Sequence, residues 1–171
     1  ASEIIHYDSP EISYAVQERL LSNYTDMRAL CHWHDDVELL YIFDGEMNYD
    51  VNGRHYLFKK GDTIFINSRQ LHYGYDHDQH ECEFMVLLIH PELLKASNYM
   101  YRRYVLPILN YATDIVIIEN NSPSGAVLTQ LFENIRLCRK QDKSCHEFQL
   151  LGYFYEMWSI LYENCNIEDN V

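Results

Sequence analysis

Apolar and polar residues follow different patterns in the two halves of the chain. Between residues 31 and 89, short apolar runs are broken by turn residues at close spacing, which is typical of antiparallel strands in a barrel or a sandwich. From about Ser124 onward, apolar residues recur every three or four positions, as they do along one face of a helix. The pattern therefore predicts a mainly β region followed by a helical region.

The clearest predicted hairpin has Asn52 and Gly53 at its turn. Asn-Gly favours the left-handed backbone of a two-residue turn between paired strands. In the preceding segment, 47–51, apolar and polar residues alternate, so one face is expected to be buried. The later segment 82–89 is apolar on both faces, which indicates a strand between the barrel interior and covering helices.

Two long antiparallel helices, joined near residues 141–143, are predicted in the second region. A start signal lies at 121–124, and the apolar face of the first helix carries Val127, Leu128, Leu131, Phe132, Ile135 and Cys138. The apolar face of the second helix carries Phe148, Leu151, either Phe154 or Tyr155, Trp158, Leu161 and Cys165. We expect Ser144 to cap this second helix. A shorter helix within 99–110, interrupted by Pro107, precedes the pair.

Composition bounds the class of protein. The chain has 171 residues, 47% of them hydrophobic and 23% charged, which suits one globular domain. A formal net charge of -13 argues against DNA binding by this chain, because Lys and Arg make the phosphate contacts. The sequence shows neither a membrane-length apolar run nor a signal peptide, and we expect no membrane partner. Its five cysteines, an odd number without a C-x2-C pair, favour the reducing cytoplasm.

Three histidines and a glutamate form the candidate site: His32, His34, Glu38 and His72. Alternating strand side chains place His32 and His34 on one face, the following turn returns Glu38 to the same space, and His72 must arrive from another strand. Three neutral imidazoles and one carboxylate suit zinc, nickel, manganese or iron(II). The four side chains can instead hydrogen-bond one another and an organic effector, and both alternatives stay open.

The spacing H-x-H-x3-E-x6-G over 32–45, followed by G-x5-N-x-R-x2-H over 61–72, resembles the two cupin motifs. Cupin enzymes usually carry Pro and Gly where this chain has Asn67 and Arg69, so we expect an altered turn before His72. The longer segment 31–72 resembles the N-terminal sensing domain of AraC-type transcription regulators.

This resemblance implies a fold that is mainly β with α. A cupin-like antiparallel β-barrel of the jelly-roll type would occupy about 1–95, and an antiparallel pair of C-terminal helices would lie within about 96–171. The whole chain, 1–171, would be a single effector-binding and dimerisation domain rather than an enzyme. It would control DNA binding by a separate C-terminal helix-turn-helix domain that this chain lacks, so we expect a fragment of a longer regulator. The rival hypotheses are a metal-dependent cupin enzyme, such as a dioxygenase or isomerase, and a metal sensor.

The predicted ligand-binding residues are His32, His34, Glu38, His72, Trp33, Arg69 and Tyr49, and the first four are also the predicted metal ligands. The expected effector is small and polar, such as a sugar or another metabolite, and Arg69 is a candidate partner for an anionic group on it. In the AraC family the helices pair with a second subunit. Trp158, Leu161 and Tyr162 exceed what a helix on a small barrel needs to bury, so they are the predicted contacts of a homodimer.

Overall fold

The computed structural model describes residues 1–111 and 114–167. The strands in this part of the chain are β1 (Tyr14–Leu20), β2 (Val37–Val51), β3 (Arg54–Lys59), β4 (Thr63–Ile66), β5 (His72–Tyr75), β6 (Cys82–Ile89) and β7 (Ile115–Ile118). The helices are α1 (Asn98–Met100), α2 (Leu106–Tyr111), α3 (Pro123–Gln141) and α4 (His146–Asn164), with a π-helical turn, Tyr101–Val105, between α1 and α2. Short 3-10 turns occupy Leu21–Asn23, Thr25–Met27 and Pro91–Leu94. Over the described ranges, no helix combines the length and the apolar content that crossing a membrane requires.

Strand β2 takes part in both halves of the β structure. Its first half pairs antiparallel with β4 and β6, and its second half pairs antiparallel with β3 and β5. Strand β1 extends the first sheet beyond β6, and β7 extends it beyond β4. The predicted cupin-like antiparallel fold is confirmed, in an arrangement whose main sheet stays open between β1 and β7.

Strand β2 passes from one half to the other at Gly45. The register against β6 shifts between Ile42 and Asp44, just before this residue. Gly45 has a φ of +78°, and a Cβ here would collide with the carbonyl oxygen of Glu81. Glycine is therefore required where β2 bends past the beginning of β6.

Alternate residues of β2 supply two separate apolar cores. Leu39 and Tyr41 face the helices, where the Tyr41 ring stacks on Phe132 of α3 at a centroid distance of 4.7 Å. Leu40 and Ile42 belong to a second core on the inner side of the sheet. Strand β6 divides its side chains in the same way, which explains why its sequence is apolar at almost every position.

Several local predictions are confirmed. Asn52 and Gly53 have φ angles of 52° and 80° at the turn between β2 and β3, as a two-residue Asn-Gly turn requires. Helix α3 begins within the predicted start signal, where the Ser122 hydroxyl accepts a hydrogen bond from the backbone N–H of Gly125 at 3.0 Å. The two long helices follow one another with a short connection, also as predicted.

Other local predictions are wrong. Helix α4 follows Cys145, without a side-chain cap, so Ser144 does not cap it. Phe148 is 82% exposed and does not belong to the buried face of α4. Pro107 does not end the helical segment 98–111, because the segment passes through the π-helical turn Tyr101–Val105 and continues as α2 across this proline. The pattern also fails to predict β1, whose buried residues are consecutive and are followed by exposed ones.

The predicted dimer contacts lie largely inside the chain. Trp158 and Leu161 are only 5% and 1% exposed, and the indole N–H of Trp158 donates to the backbone oxygen of Tyr104 at 3.0 Å. Tyr162 keeps some exposed surface and packs edge-on against the Tyr104 ring. The assignment of Trp158 and Leu161 to a subunit interface is therefore corrected. The helical segment 98–111 covers this side of α4, which the pattern did not anticipate.

Candidate functional site

The four predicted ligands converge beside the inner core. His32 and His34 precede β2, Glu38 is the second residue of β2, and His72 begins β5. Two backbone hydrogen bonds join His32 to His72, with N···O distances of 3.1 and 2.9 Å. The ligating atoms of the four side chains all lie within 4.8 Å of one another. The structure thus brings together residues that are up to forty positions apart in the sequence.

Each imidazole ring is held by a nearby backbone carbonyl. The Nδ1 atoms of His32, His34 and His72 lie 2.7, 3.0 and 2.8 Å from the carbonyl oxygens of Leu30, Asp36 and Gln70, respectively. Because a carbonyl oxygen only accepts hydrogen bonds, each Nδ1 carries a proton. In a neutral ring the Nε2 atom is then unprotonated and has a free lone pair. All three rings are therefore prepared to bind through Nε2.

Glu38 is buried and faces two of these nitrogens. Its Oε2 atom lies 3.2 Å from Nε2 of His34 and 3.0 Å from Nε2 of His72. The Tyr49 hydroxyl donates to the other carboxylate oxygen, Oε1, at 3.3 Å. An ionised carboxylate cannot donate to an unprotonated ring nitrogen, so these contacts require a positive charge between the atoms. Either a proton on a ring or a metal ion can supply that charge.

Burial and charge act in opposite directions on the pKa values of this cluster. Burial raises the pKa of Glu38, but the charges and hydrogen bonds of His72 and His34 outweigh it and hold that pKa below its usual range. Burial lowers the pKa of His34, but the neighbouring Glu38 outweighs it, and the pKa ends above its usual value. Burial and the nearby His72 lower the pKa of His32. Burial and the Glu38 carboxylate raise the pKa of Tyr49 far above its usual value, so its hydroxyl remains a donor.

The donor set fits a divalent metal. Nitrogens from three imidazoles and one carboxylate oxygen are ligands that zinc, nickel, manganese and iron(II) accept. The contact from each Nδ1–H to a carbonyl is the outer-shell hydrogen bond that fixes the tautomer and direction of metal-binding histidines. Tyr49 orients Glu38 in the same manner. A metal bound here would supply a Lewis acid with coordination positions open to a further ligand.

A cavity of about 360 Å³ adjoins the four residues. His32, Glu38 and Tyr49 line it, and Glu3 lies at the same place with Oε2 at 3.1 Å from Nε2 of His32. The remaining walls are mainly apolar and include Leu21, Leu40, Met47, Phe84, Val86 and Leu88. This volume lies in the range of small-molecule sites, about 300–1,000 Å³. The polar cluster and the cavity therefore form one continuous site.

The family model described as the AraC-like ligand binding domain matches residues 15–156, a range that contains the whole four-residue cluster. The chain belongs to this family. It is therefore a ligand-binding domain of the AraC type.

Relatives of this AraC-type domain include a curated protein, the uncharacterized HTH-type transcriptional regulator YdeC of Bacillus subtilis (strain 168). It is 22% identical over 164 residues, which are 95% of this chain and 56% of YdeC, so the chain spans about half the length of that relative. Among solved structures, an apo ToxT variant from Vibrio cholerae strain SCE256 matches 93% of this chain and 60% of ToxT, with 14% identity and a TM-score of 0.56. An RmlC-like cupin from Shewanella frigidimarina NCIMB 400 aligns with 44% of this chain and 64% of that protein, with 15% identity and a TM-score of 0.39.

Two residues predicted to bind the ligand of this AraC-type domain lie outside both the cavity and the four-residue cluster. The Arg69 side chain is 72% exposed, and its Nε donates to Oδ1 of Asp35 at 2.6 Å. Trp33 is half-buried, and its backbone hydrogen-bonds to Ala1 and Glu3. Neither residue lines the cavity. Tyr49, in contrast, both lines the cavity and contacts Glu38.

The turn before His72 has a glycine-like backbone although it contains Arg69. The φ angle of Arg69 is 64°, in the left-handed region that glycine adopts most easily. Asn67 anchors the same turn, because its Nδ2 donates to the backbone oxygen of Ile108 at 2.9 Å and its Oδ1 accepts from the N–H of Ser68 at 2.8 Å. The two departures from the cupin motif therefore leave His72 in the site.

Sequence reasoning missed several residues of the cavity wall. Gln17 and Leu21 come from β1 and the 3-10 turn after it, a segment without a regular apolar pattern. Tyr24 stacks on Phe84 at a centroid distance of 6.4 Å, and both rings line the cavity. The sequence of β6 did contain a usable pattern for this wall. Phe84, Val86 and Leu88 alternate there with the residues that face the helices.

Proposed function

We propose that this domain senses a small molecule at a metal-containing site. His32, His34, Glu38 and His72 would hold one divalent metal ion, and the adjoining cavity would hold the effector. The observation that carries the proposal is the orientation of the three rings, each with its Nδ1–H bonded to a carbonyl oxygen. This arrangement directs three Nε2 lone pairs and one carboxylate toward the place where an ion would bind.

A proton is the alternative to the metal ion. One imidazolium could balance the charge of Glu38, and the effector would then bind to protein groups alone. However, His34 and His72 both approach the same oxygen, Oε2 of Glu38, and one proton serves only one of these contacts. An ion can contact all four donors at once. The shared oxygen therefore favours a metal ion over a proton.

We infer that effector binding is transmitted through the strands that the two cores share. Leu40 of β2 and Phe84 of β6 line the cavity, while their neighbours Leu39 and Met85 face the helices. A filled cavity and an empty one would favour different arrangements of strands and helices. In the cytoplasm, a helix-turn-helix domain outside this chain would translate this difference into a change in DNA affinity.

We propose binding rather than catalysis for the site. The same donor set could serve a cupin enzyme, so the metal ligands alone do not select between the two functions. The match to a ligand-binding domain of regulators favours sensing. Turnover of a small molecule that depends on the metal would contradict this proposal.

We also propose that two copies of the chain pair through α4. The contact would use an exposed stripe that contains Phe148, 82% exposed, and Tyr155, 37% exposed, rather than the buried Trp158 and Leu161. Covering an exposed phenyl ring with a second copy stabilises the dimer, because apolar surface leaves water. Sedimentation should show a dimer that Phe148→Glu converts to a monomer, whereas Glu156→Gln on the same helix has no effect. A monomeric wild-type chain would disprove the pairing.

Metal titration tests the proposed site directly. The purified chain is stripped with a chelator and titrated with zinc, nickel, manganese and iron(II) in a calorimeter. We expect one ion per chain for at least one of these metals. His34→Ala should weaken binding by at least about a hundredfold, because it removes a ligand and not only an outer-shell contact.

The matched control is His55→Ala. His55 lies on β3 with its side chain 69% exposed, outside the four-residue cluster, so its loss should leave metal affinity unchanged. Circular dichroism of both variants checks that they are folded. A wild-type chain that binds no ion, or equal weakening by the two variants, would reject the metal site.

A further inference from the structure

We propose that the effector is a largely apolar molecule with a single polar head. The head would lie at the cluster of His32, Glu38 and Tyr49, and the apolar body would fill the rest of the cavity. The inference about the polar head rests on the proposed function, because the proposed metal ion would bind that head. The inference about the apolar body depends only on the residues of the cavity walls.

The walls away from the cluster consist mainly of aliphatic and aromatic side chains. Leu40, Val86 and Leu88 come from the inner faces of β2 and β6, and Met47 comes from the second half of β2. The stacked rings of Tyr24 and Phe84 add an aromatic surface. Apolar surface of this kind stabilises a ligand in proportion to the apolar area that it removes from water.

A sugar is a poor match for these walls. Each of its hydroxyl groups needs a hydrogen-bond partner when it leaves water, and an unpaired one lowers affinity. Tyr49, Glu38, His32 and Glu3 form the main polar group of the cavity, in which Tyr49 donates to Glu38 and His32 approaches Glu3, and the wall also carries the polar groups of Ser2, Gln17 and Tyr24. That group can satisfy one polar head but not hydroxyls around a whole ring. The expected polar effector is therefore not the one that the cavity favours.

Leu30 also indicates a missing apolar partner. It lines the cavity, yet it is 87% exposed. Its neighbours Ala29 and Cys31 line the cavity too, so this segment forms part of the opening. An apolar body in the cavity would cover the Leu30 side chain and remove it from water.

The charged side chains that line the cavity limit which polar head group the effector can carry. Among the described residues that line the cavity there is no lysine or arginine, whereas Glu3 and Glu38 are both present. Arg28 lies over the rings of Tyr73 and Tyr75, and Arg69 pairs with Asp35, so both arginines are engaged elsewhere. A neutral hydroxyl head can bind without the metal. The α-ammonium of Ala1 also lies at the lining but donates to the backbone oxygen of Cys31 at 3.3 Å, so a carboxylate head depends on the metal for a positive partner.

The volume sets the size of the effector. At about 30 Å³ for each water-sized group, a cavity of about 360 Å³ holds on the order of twelve non-hydrogen atoms. Decanol and decanoate have about this size, and they share one apolar chain with different heads. Glucose has a similar number of atoms but carries hydroxyl groups all round.

The test uses displacement of a neutral fluorescent probe about as large as decanol, 1-naphthylamine, from the chain with and without bound metal. Decanol should displace the probe in both states, decanoate should do so mainly in the metal-loaded state, and glucose should displace it in neither. Displacement by glucose at concentrations as low as those of decanol would overturn the proposal. Failure of decanol in both states would overturn it as well.

A matched pair of substitutions locates the binding. Val86→Thr adds a hydroxyl to the cavity wall and should weaken decanol binding by about tenfold, whereas Val127→Thr adds the same group on an exposed face of α3 and should have no effect. Ala29→Leu, at the partly exposed opening, offers a second variant that should reduce the affinity for decanol. Equal effects of Val86→Thr and Val127→Thr would reject the cavity as the site.

The two proposals can fail separately. In one case the chain binds no metal, but decanol still displaces the probe and Val86→Thr weakens the binding of decanol. The metal site is then rejected and the apolar effector is supported. If the metal binds to the four-residue cluster but decanol does not displace the probe, the apolar effector is rejected and the metal site stands.

Discussion

The two faces of strand β2 differ in what they contact. On the outer face, Leu39 and Tyr41 pack against the helices, and the Tyr41 ring stacks on Phe132. On the inner face, Glu38 and Leu40, which alternate with them along the strand, line a cavity of about 360 Å³. One strand therefore contributes to an apolar core on one side and to a potential binding site on the other.

This difference separates stability from binding. Burial of apolar surface in the outer core contributes about 25 cal/mol for each Å² removed from water. A buried carboxylate and a cavity both cost stability on the inner side. The outer core offsets this cost, so the inner side can keep space and charge for a ligand. If the two faces act independently, a substitution on one face leaves the property of the other unchanged.

The largest effect is expected on the outer face. Phe132→Ala should lower the free energy of unfolding by about 3–5 kcal/mol, because it leaves a cavity beside Tyr41 in the core that contacts the helices. Urea denaturation measures this change. Metal affinity of the folded variant should stay within about twofold of wild type if the two faces are independent.

Leu137→Ala is the control for this substitution. Leu137 is 53% exposed on α3, the helix that carries Phe132, so its loss should alter the free energy of unfolding by less than about 1 kcal/mol. If Phe132→Ala stays folded but loses metal affinity, the helix layer controls the inner site. The two faces of β2 would then not act independently.

Regular patterns made the central part of the fold predictable from the sequence. The Asn-Gly hairpin and the two long helices follow from turn chemistry and from apolar spacing. The approach of His32, His34, Glu38 and His72 could be predicted because strand alternation limits where such side chains point.

The remaining features depend on contacts between distant segments. Gln17 and Tyr24 enter the cavity wall from a part of the chain without a regular pattern, so their role is visible only in the folded protein. Trp158 is buried by the segment that contains Tyr104, not by a second subunit. The Arg69 side chain is exposed and pairs with Asp35, and the Arg69 backbone itself adopts the left-handed conformation in this turn. Neither feature can be seen in the sequence.

The next largest effect is expected at Glu38. Glu38→Gln keeps the shape of the side chain but removes its charge, and metal affinity should fall by at least about a hundredfold, equivalent to about 2.7 kcal/mol. Competition with a coloured chelator measures this affinity. The control is Glu46→Gln, which changes a carboxylate near His77 and His80 outside the cluster and should leave the affinity unchanged. If Glu38→Gln binds the ion as well as wild type, Glu38 is not a ligand.

A smaller effect is expected at Tyr49, which contacts the cluster without belonging to it. Tyr49→Phe removes the hydroxyl that donates to Glu38 at 3.3 Å, and metal affinity should fall by about tenfold, as for the loss of an outer-shell partner. Tyr56→Phe removes the same group from the residue directly opposite on β3 and should have no effect. Equal affinities for Tyr49→Phe and wild type would show that the hydroxyl does not position the carboxylate.

The smallest effects are expected at Arg69, at the turn that leads to His72. Arg69→Ala should cost less than about 1 kcal/mol, because its ion pair with Asp35 is exposed to solvent. Arg69→Gly loses the same ion pair but relieves the left-handed backbone, at a φ of 64°, so it should be at least as stable as Arg69→Ala in urea denaturation. Neither variant should change binding of decanol or decanoate, since Arg69 does not line the cavity. Weaker binding of decanoate alone in both variants would instead place the guanidinium near the effector and restore the role that the sequence had suggested for it.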